Sequence, residues 1–289
     1  MKFTIQDFRK RFPDDIACLK EIMHLRFGDK QECSECGKAS EFHRVRNRRC
    51  FECQWCGRQI YPTEGTIFEK TSTPLHLWFY AIYLMTATRS GVSAKEIERQ
   101  LGVTYKTAWR MAHQIRKLMA GSAGKLKGII EADETYAGGK RQGKRGRGAE
   151  GKTPILGVLE RQGDIHAKVA GDVKARTVMP NIIENVVSGS TVCTDELRSY
   201  NGIGKAGFIH LRVNHSANEY VHGIAHTNSL EGFWSHLKRS ILGTHGWVSR
   251  KYLQQYVDEF AFRFNTRHSP SEMFNGVLAR LVPPTAIPC

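Results

Sequence analysis

The 289-residue chain has no apolar run long enough to cross a bilayer, which removes the integral helical membrane proteins. Its opening residues, MKFTIQDFRKRFPDD, have none of the character of a secretory leader. Lipidation motifs and long Lys-rich amphipathic helices are missing too, so no membrane partner is expected. Internal repeats are absent. Acidic side chains are scarce beside basic ones, 28 Asp and Glu against 43 Lys and Arg, for a net charge of +15. That imbalance suits a polyanion, of which nucleic acid is the commonest. The length allows one sizeable core or two to three smaller domains.

Eight cysteines are present, and four of them form two Cys-x-x-Cys pairs, Cys33/Cys36 and Cys53/Cys56. Each pair offers two thiolates from a tight turn, and two such turns complete a tetrahedral zinc site. Gly37 and Gly57 stand where the chain must turn sharply. A structural zinc ribbon is therefore expected, in a reducing compartment, instead of a disulfide framework. Cys50 is a competing ligand by position, while Cys18, Cys193 and Cys289 read as unpaired structural thiols.

The pattern divides the chain into residues 1–68 (short helices, then the ribbon), 69–125 (helical) and 126–289 (α/β, ending in helices). TPLHLWFYAIYLMTAT is apolar nearly all round and reads as a buried helix starting near Pro74. GVSAKEIERQLGVTYKTAWRMAHQIRKLM has the spacing of a helix-turn-helix. Ser93 and Glu96 form a capping-box pattern, Gly102 lies in the turn, and Thr104 caps the second helix. Tyr105, Lys106, Thr107 and Arg110 then open a recognition helix that can reach DNA. The glycine-rich segment 138–152 carries Lys140, Arg141, Lys144, Arg145 and Arg147, a basic loop suited to phosphates.

From residue 127, strands alternate with helices, which argues for an α/β domain. Asp133 is expected at the end of its first strand, and Asp195 at the end of its fourth. HTNSLEGFWSHLKR follows as an amphipathic helix. Asn228, Glu231 and Lys238 share one face, and Leu230, Phe233, Trp234 and Leu237 the other, so Trp234 reads as core. Two Asp from separate strands and a carboxylate from a following helix would hold Mg²⁺ or Mn²⁺, hard cations that prefer oxygen ligands. Such ions activate a water or a 3′-hydroxyl for attack at phosphorus. Glu134 and Glu196 follow the aspartates directly and read as supporting residues. His210, His215, His222 and His226 are too irregularly spaced for a zinc site and suit surface or DNA contact.

The two Cys-x-x-Cys pairs followed by GRQIYPTEGTIF, the helical GVSAKEIERQLGVTYKTAWRMAHQIR, then EADETYAGGK, TDELRSY, VNHSANEYV, HTNSLEGFWSHLKR and EFAFRFNTR come in one order. In that order the chain resembles, over roughly residues 10–270, the bacterial insertion-sequence transposases related to the eukaryotic Merlin transposons, the family numbered fifteen ninety-five. The resemblance implies an RNase H-like catalytic core with an Asp-Asp-Asn/Glu-Lys signature for DNA cleavage and strand transfer. Carried over, the signature is Asp133, Asp195, then Asn228 or Glu231, then Lys238, with magnesium expected on Asp133, Asp195 and Glu231. Asn228 fits the Asn form of the signature, whereas Glu231, thirty-six residues after Asp195 and seven before Lys238, fits the Glu form. It further implies double-stranded DNA as partner, a homodimer or higher assembly on that DNA, and a bacterial cytoplasmic, nucleoid-associated location. A zinc-ribbon and helix-turn-helix regulator on a vestigial core is the alternative.

Overall fold

The computed structural model describes residues 3–29, 31–121, 123–138, 152–213 and 226–281. The chain forms two compact units, Met1–Leu118 with Ser269–Cys289, and Met119–His268.

The first unit begins with helices α1 (Ile5–Arg11) and α2 (Asp15–Phe27), capped by Thr4 and Asp14, whose side chains accept from backbone N–H groups of the first turn. Short strands follow: β1 (Gln31–Glu32) pairs with β2 (Ala39–Ser40), and β3 (Phe42–Arg44), β4 (Phe51–Cys53) and β5 (Gln59–Ile60) form an antiparallel three-stranded sheet. Helix α3 (Leu75–Ala87) starts after Pro74 and buries Trp78, Phe79, Ile82 and Met85 completely. Helices α4 (Ala94–Leu101) and α5 (Tyr105–Met119) flank the turn Gly102–Thr104, where Gly102 adopts a left-handed φ of 66°. The chain returns to this unit after residue 268 as α9 (Met273–Ala279). Phe274 of α9 meets Phe8 edge-on at 6.1 Å and Phe12 at a tilt at 5.8 Å, and Phe12 meets Phe79 at 4.9 Å. This aromatic knot joins α1, α3 and α9.

The second unit is a three-layer α/β domain. Its sheet contains β6 (Ile129–Ala137), β7 (Thr153–Glu160), β8 (Ile165–Val169), β9 (Thr191–Thr194) and β10 (Ile209–Arg212), in the spatial order β10-β9-β6-β7-β8. Strands β6, β7 and β8 form an antiparallel meander, while β9 and β10 add in parallel on the other side of β6. Helix α6 (Ala175–Asn185) covers one face, where Ile130, Ala132, Val158 and Val192 pack on Val178 and Ile182. Helices α7 (Asn228–Ser240) and α8 (Arg250–Asn265) cover the other, where Ile155, Leu159 and Ile165 meet Leu230, Phe233, Trp234, Leu237, Leu253 and Val257. Each of these large apolar side chains contributes about 1.5–3 kcal/mol on burial, so α7 is set on the sheet by its apolar stripe. Among the described residues no helix is long and apolar enough to cross a membrane.

Candidate active site and zinc centre

β6 alternates its side chains between two environments. Ile130, Ala132 and Glu134 face α6; Glu131 and Asp133 face α7. Asp133 was expected at a strand end but is the middle residue of nine-residue β6. The reason lies in the unequal lengths of its neighbours: the antiparallel pairing with β7 runs to Ala137, whereas the parallel pairing with β9 stops at Glu131↔Cys193. Continuing that register sets Asp133 level with Asp195, the residue just past β9. The two aspartates thus lie side by side on neighbouring strands where the parallel ladder opens.

Asp195 is buried, and its Oδ1 accepts from the backbone N–H of Leu197 at 2.9 Å, fixing the turn that follows the strand. Asp133 Oδ2 accepts from Trp234 Nε1 at 3.1 Å. Burial, and then the negative charges of Glu134 and Asp195, push the Asp133 carboxyl up to about 7, against the lowering effect of the Trp234 bond. Lys238, one turn beyond Trp234, lies close enough for Asp133 to favour its charged form; desolvation and the neighbouring Lys152 outweigh this and lower its pKa. Glu134 points the other way and accepts from the buried Tyr200 hydroxyl at 3.1 Å. Glu196 is exposed.

α7 is held at its start by a residue that sequence reading passed over. Glu131 is fully buried; it accepts from Leu230 N and Ser229 Oγ, both at 3.0 Å, and from Arg161 Nε at 2.8 Å. His226 Nδ1 lies 3.2 Å from the same carboxylate, and Arg161 also donates to the His226 carbonyl. A carboxylate at the first turn of a helix satisfies orphan N–H groups and the positive end of the helix dipole. β6 therefore grips α7 at two points, Glu131 on its first turn and Asp133 on Trp234. Gly157 is a second omission. It pairs with Asp133 across the β6–β7 ladder, and a Cβ there would lie 2.5 Å from the Trp234 ring.

Asn228 and Glu231 are both exposed on α7, and the Thr227 hydroxyl donates to Glu231 Oε1 at 3.2 Å. Asp133, Asp195 and Lys238 are neighbours electrostatically, but the carboxylates do not close into a ligand cluster. The one group of three or more His, Cys, Asp or Glu side chains converging on a common point among the described residues is Cys33, Cys36, Cys53 and Cys56. His210 bonds Thr194, and His226 faces Glu131, so neither belongs to an ion cluster; His215 and His222 lie outside the described residues.

The four cysteines come from two copies of one turn. Gly37 N donates to the Cys33 carbonyl and Cys33 N to the Lys38 carbonyl; Gly57, Cys53 and Arg58 repeat this. Both glycines take left-handed φ, 64° and 75°. Cys33 and Cys56 sulfurs are 3.6 Å apart, and those of Cys36 and Cys53 are 3.9 Å apart. A zinc tetrahedron with bonds of about 2.3 Å has edges of about 3.8 Å, so the donor set fits that ion. Against burial, hydrogen bonds from the Ser40 hydroxyl and the N–H groups of Cys56 and Trp55 lower the Cys53 thiol pKa. Against the Arg58 N–H, burial and the neighbouring cysteines raise that of Cys56, as expected of four sulfurs sharing one charge-dense site. Cys50 is buried outside this cluster, and Cys18 and Cys193 are buried away from it as well.

At the start of α4, Ser93 Oγ accepts from Glu96 N at 3.1 Å, but the Glu96 carboxylate turns to Arg99 and Gln100, so the capping box is only half formed. Thr104 Oγ accepts from Thr107 N. Tyr105 and Lys106 are exposed at the start of α5. Arg110 instead bonds Thr71 and lies over the Trp78 ring. Lys140, Arg141, Lys144, Arg145 and Arg147 lie outside the described residues.

Comparison with known proteins finds transposase relatives for both parts of the chain. Residues 125–265 match the ISXO2-like transposase domain, and residues 13–59 match the transposase zinc-ribbon domain. An "Uncharacterized transposase-like protein" of Haemophilus influenzae is 30% identical over 118 residues, 41% of this chain and 93% of that protein. An "Uncharacterized protein in transposable element ISH50" of Halobacterium salinarum is 28% identical over 286 residues, 91% of this chain and 95% of its own. Among solved structures, the "Crystal structure of a pre-cleavage Mos1 transpososome" aligns with 71% of this chain and 79% of that one, at 12% identity and a TM-score of 0.28. The chain belongs to the IS1595 family of insertion-sequence transposases, with a zinc ribbon preceding the transposase domain.

Proposed function

We propose that this transposase binds the ends of its insertion sequence, cleaves the DNA and joins the freed 3′-hydroxyls to a target, on an RNase H-like core. The observation that carries this reading is the level pair Asp133 and Asp195, on neighbouring parallel strands beneath a helix bearing Glu231 and Lys238. The strand order, an antiparallel meander extended by two parallel strands, supports the RNase H-like assignment. Asp133, Asp195 and Glu231 are oxygen donors, and a carboxyl pushed up to about 7 by burial and by like charge is relieved by a bound divalent cation, so the residues fit Mg²⁺ or Mn²⁺. When bound, the cations would supply Lewis-acid activation of the attacking oxygen and neutralise charge at phosphorus.

The chain's own residues do the rest. Trp234 orients Asp133, Asp195 is fixed by its turn, and Lys238 supplies a cation for the DNA phosphate, with Lys152 beside it. Between the two candidates for the third ligand, helical geometry favours Glu231. At about 100° per residue, Glu231 is about 60° from Trp234 around α7, and Asn228 about 120°. Glu231 therefore borders the stripe that reaches Asp133. Tyr105, Lys106 and Thr107 open α5 for DNA, and Arg110 holds that helix to Thr71 and Trp78. The basic loop residues Lys140, Arg141, Lys144, Arg145 and Arg147 serve as further phosphate contacts. Two ends cut together call for a homodimer or higher assembly on DNA.

Purified protein with Mg²⁺ or Mn²⁺ is expected to nick and join DNA carrying the element's terminal repeats, and Asp133→Ala to lose at least about 100-fold in rate. Intact DNA with both proteins, despite binding, would leave the regulator reading in its place.

A further inference from the structure

Directly after the catalytic helix, the segment from Ile241 to Tyr252 has three features that folding alone does not favour. Leu242 and Trp247 are 73% and 67% exposed, the largest exposures among the described large apolar side chains. Yet the segment is firmly built. Ile241 and Val248 pack on the core of the α7–α8 face, and the His245 ring meets Tyr256 edge-on at 4.8 Å. Gly246 turns with φ 68°, and Trp247 N donates to the His245 carbonyl at 2.7 Å. The scaffold thus presents Leu242 and Trp247 outward.

The second feature is charge. Arg250 and Lys251 occupy the first turn of α8, which holds no acidic residue. Cations at that end of a helix oppose the dipole. Lys251 lies 5.3 Å from the centre of the Tyr252 ring, and Arg250 and Lys251 are both exposed, open to an anion from solvent. The third feature is position: Lys238 and Arg239 close α7 a few residues upstream. An exposed indole with cations before and after it along the chain matches nucleic acid whose bases are unpaired, because a base can stack on the ring while its phosphates meet the cations.

We propose that Trp247 forms a stacking platform for an unpaired DNA base at the cleaved or opened end, and that Arg250 and Lys251 hold the adjoining phosphates. This rests on the transposase reading above. A paired duplex offers no free base face, so the platform discriminates opened from closed ends.

Full-length protein would be titrated, at low salt, against a fluorescent blunt duplex and the same duplex with a three-nucleotide overhang. Trp247→Ala is expected to weaken binding of the overhang duplex about tenfold, with less than twofold change on the blunt one. Trp247→Phe should recover most of the loss, and Lys251→Gln should weaken both duplexes alike. Equal loss on both duplexes with Trp247→Ala, or no loss on either, overturns the proposal while leaving the transposase reading intact. So does a change from dimer to monomer by light scattering with unaltered DNA binding, which would make this a contact between copies. Wild type binding neither duplex defeats both readings.

Discussion

Asp133 and Gly157 face one another across the β6–β7 pair, and the indole that bonds the first occupies the space left by the missing side chain of the second. Gly157→Ala should therefore cost about 1–3 kcal/mol through overpacking and swing Trp234 off Asp133. A lowered thermal midpoint with at least tenfold slower cleavage is expected; wild-type cleavage would show that the indole has no part in orienting Asp133. His210 gives a pH-dependent counterpart. Arg212 donates to its Nδ1 at 3.4 Å, which leaves Nε2–H to donate to Thr194 Oγ at 2.9 Å, and Thr194 donates to the Asp195 carbonyl. Burial, then the Arg212 charge, lower the His210 pKa from 6.5 to about 4. The unfolded chain therefore takes up a proton that the folded one refuses between those values. The stability involved is complete above about pH 6.5 and lost as pH falls towards 4. Urea midpoints at pH 7 and pH 4.5 should differ less in His210→Gln than in wild type; an equal difference would show that His210 is not the source.

α7 was legible as an amphipathic helix because its apolar stripe is regular and its polar face carries unlike groups at turn spacing. What holds it was not. In EADET the acids Glu131, Asp133 and Glu134 look alike, and only the docking of α7 on one side of β6 separates the helix anchor from the Tyr200 partner. Removing the anchor in Glu131→Ala would leave Arg161 and the Leu230 N–H uncompensated, at a cost of about 3–5 kcal/mol. Glu131→Gln, which keeps an acceptor, should fold and yet slow cleavage with little change in DNA affinity. Denaturation and single-turnover rates measured together test this, and an unslowed Gln variant would refute the positioning role. The Cys-x-x-Cys turns were fully legible, since ligand type, spacing and glycine all act locally. Strand β10 and the irregular turn after α7 were not, because each depends on what packs beneath it.

At the scale of the molecule, composition pointed to a polyanionic partner, and the motif order foretold the family. The return of residues 269–281 to the first unit was invisible, because nothing in Phe274 announces that its partners are Phe8 and Phe12. Zinc is expected at one ion per chain, and its removal should expose residues 31–60 to hydrogen exchange while the β6–β9 amides stay protected. Unchanged protection of the ribbon after chelation would count against a structural role. The most direct test of the central claim is divalent-metal cleavage of terminal-repeat DNA by wild type, Asp195→Ala, Asn228→Ala and Glu231→Ala side by side. The account predicts loss of cleavage in Asp195→Ala and Glu231→Ala and retention in Asn228→Ala, with all four proteins still binding the DNA. Cleavage by Asp195→Ala at the wild-type rate would contradict it.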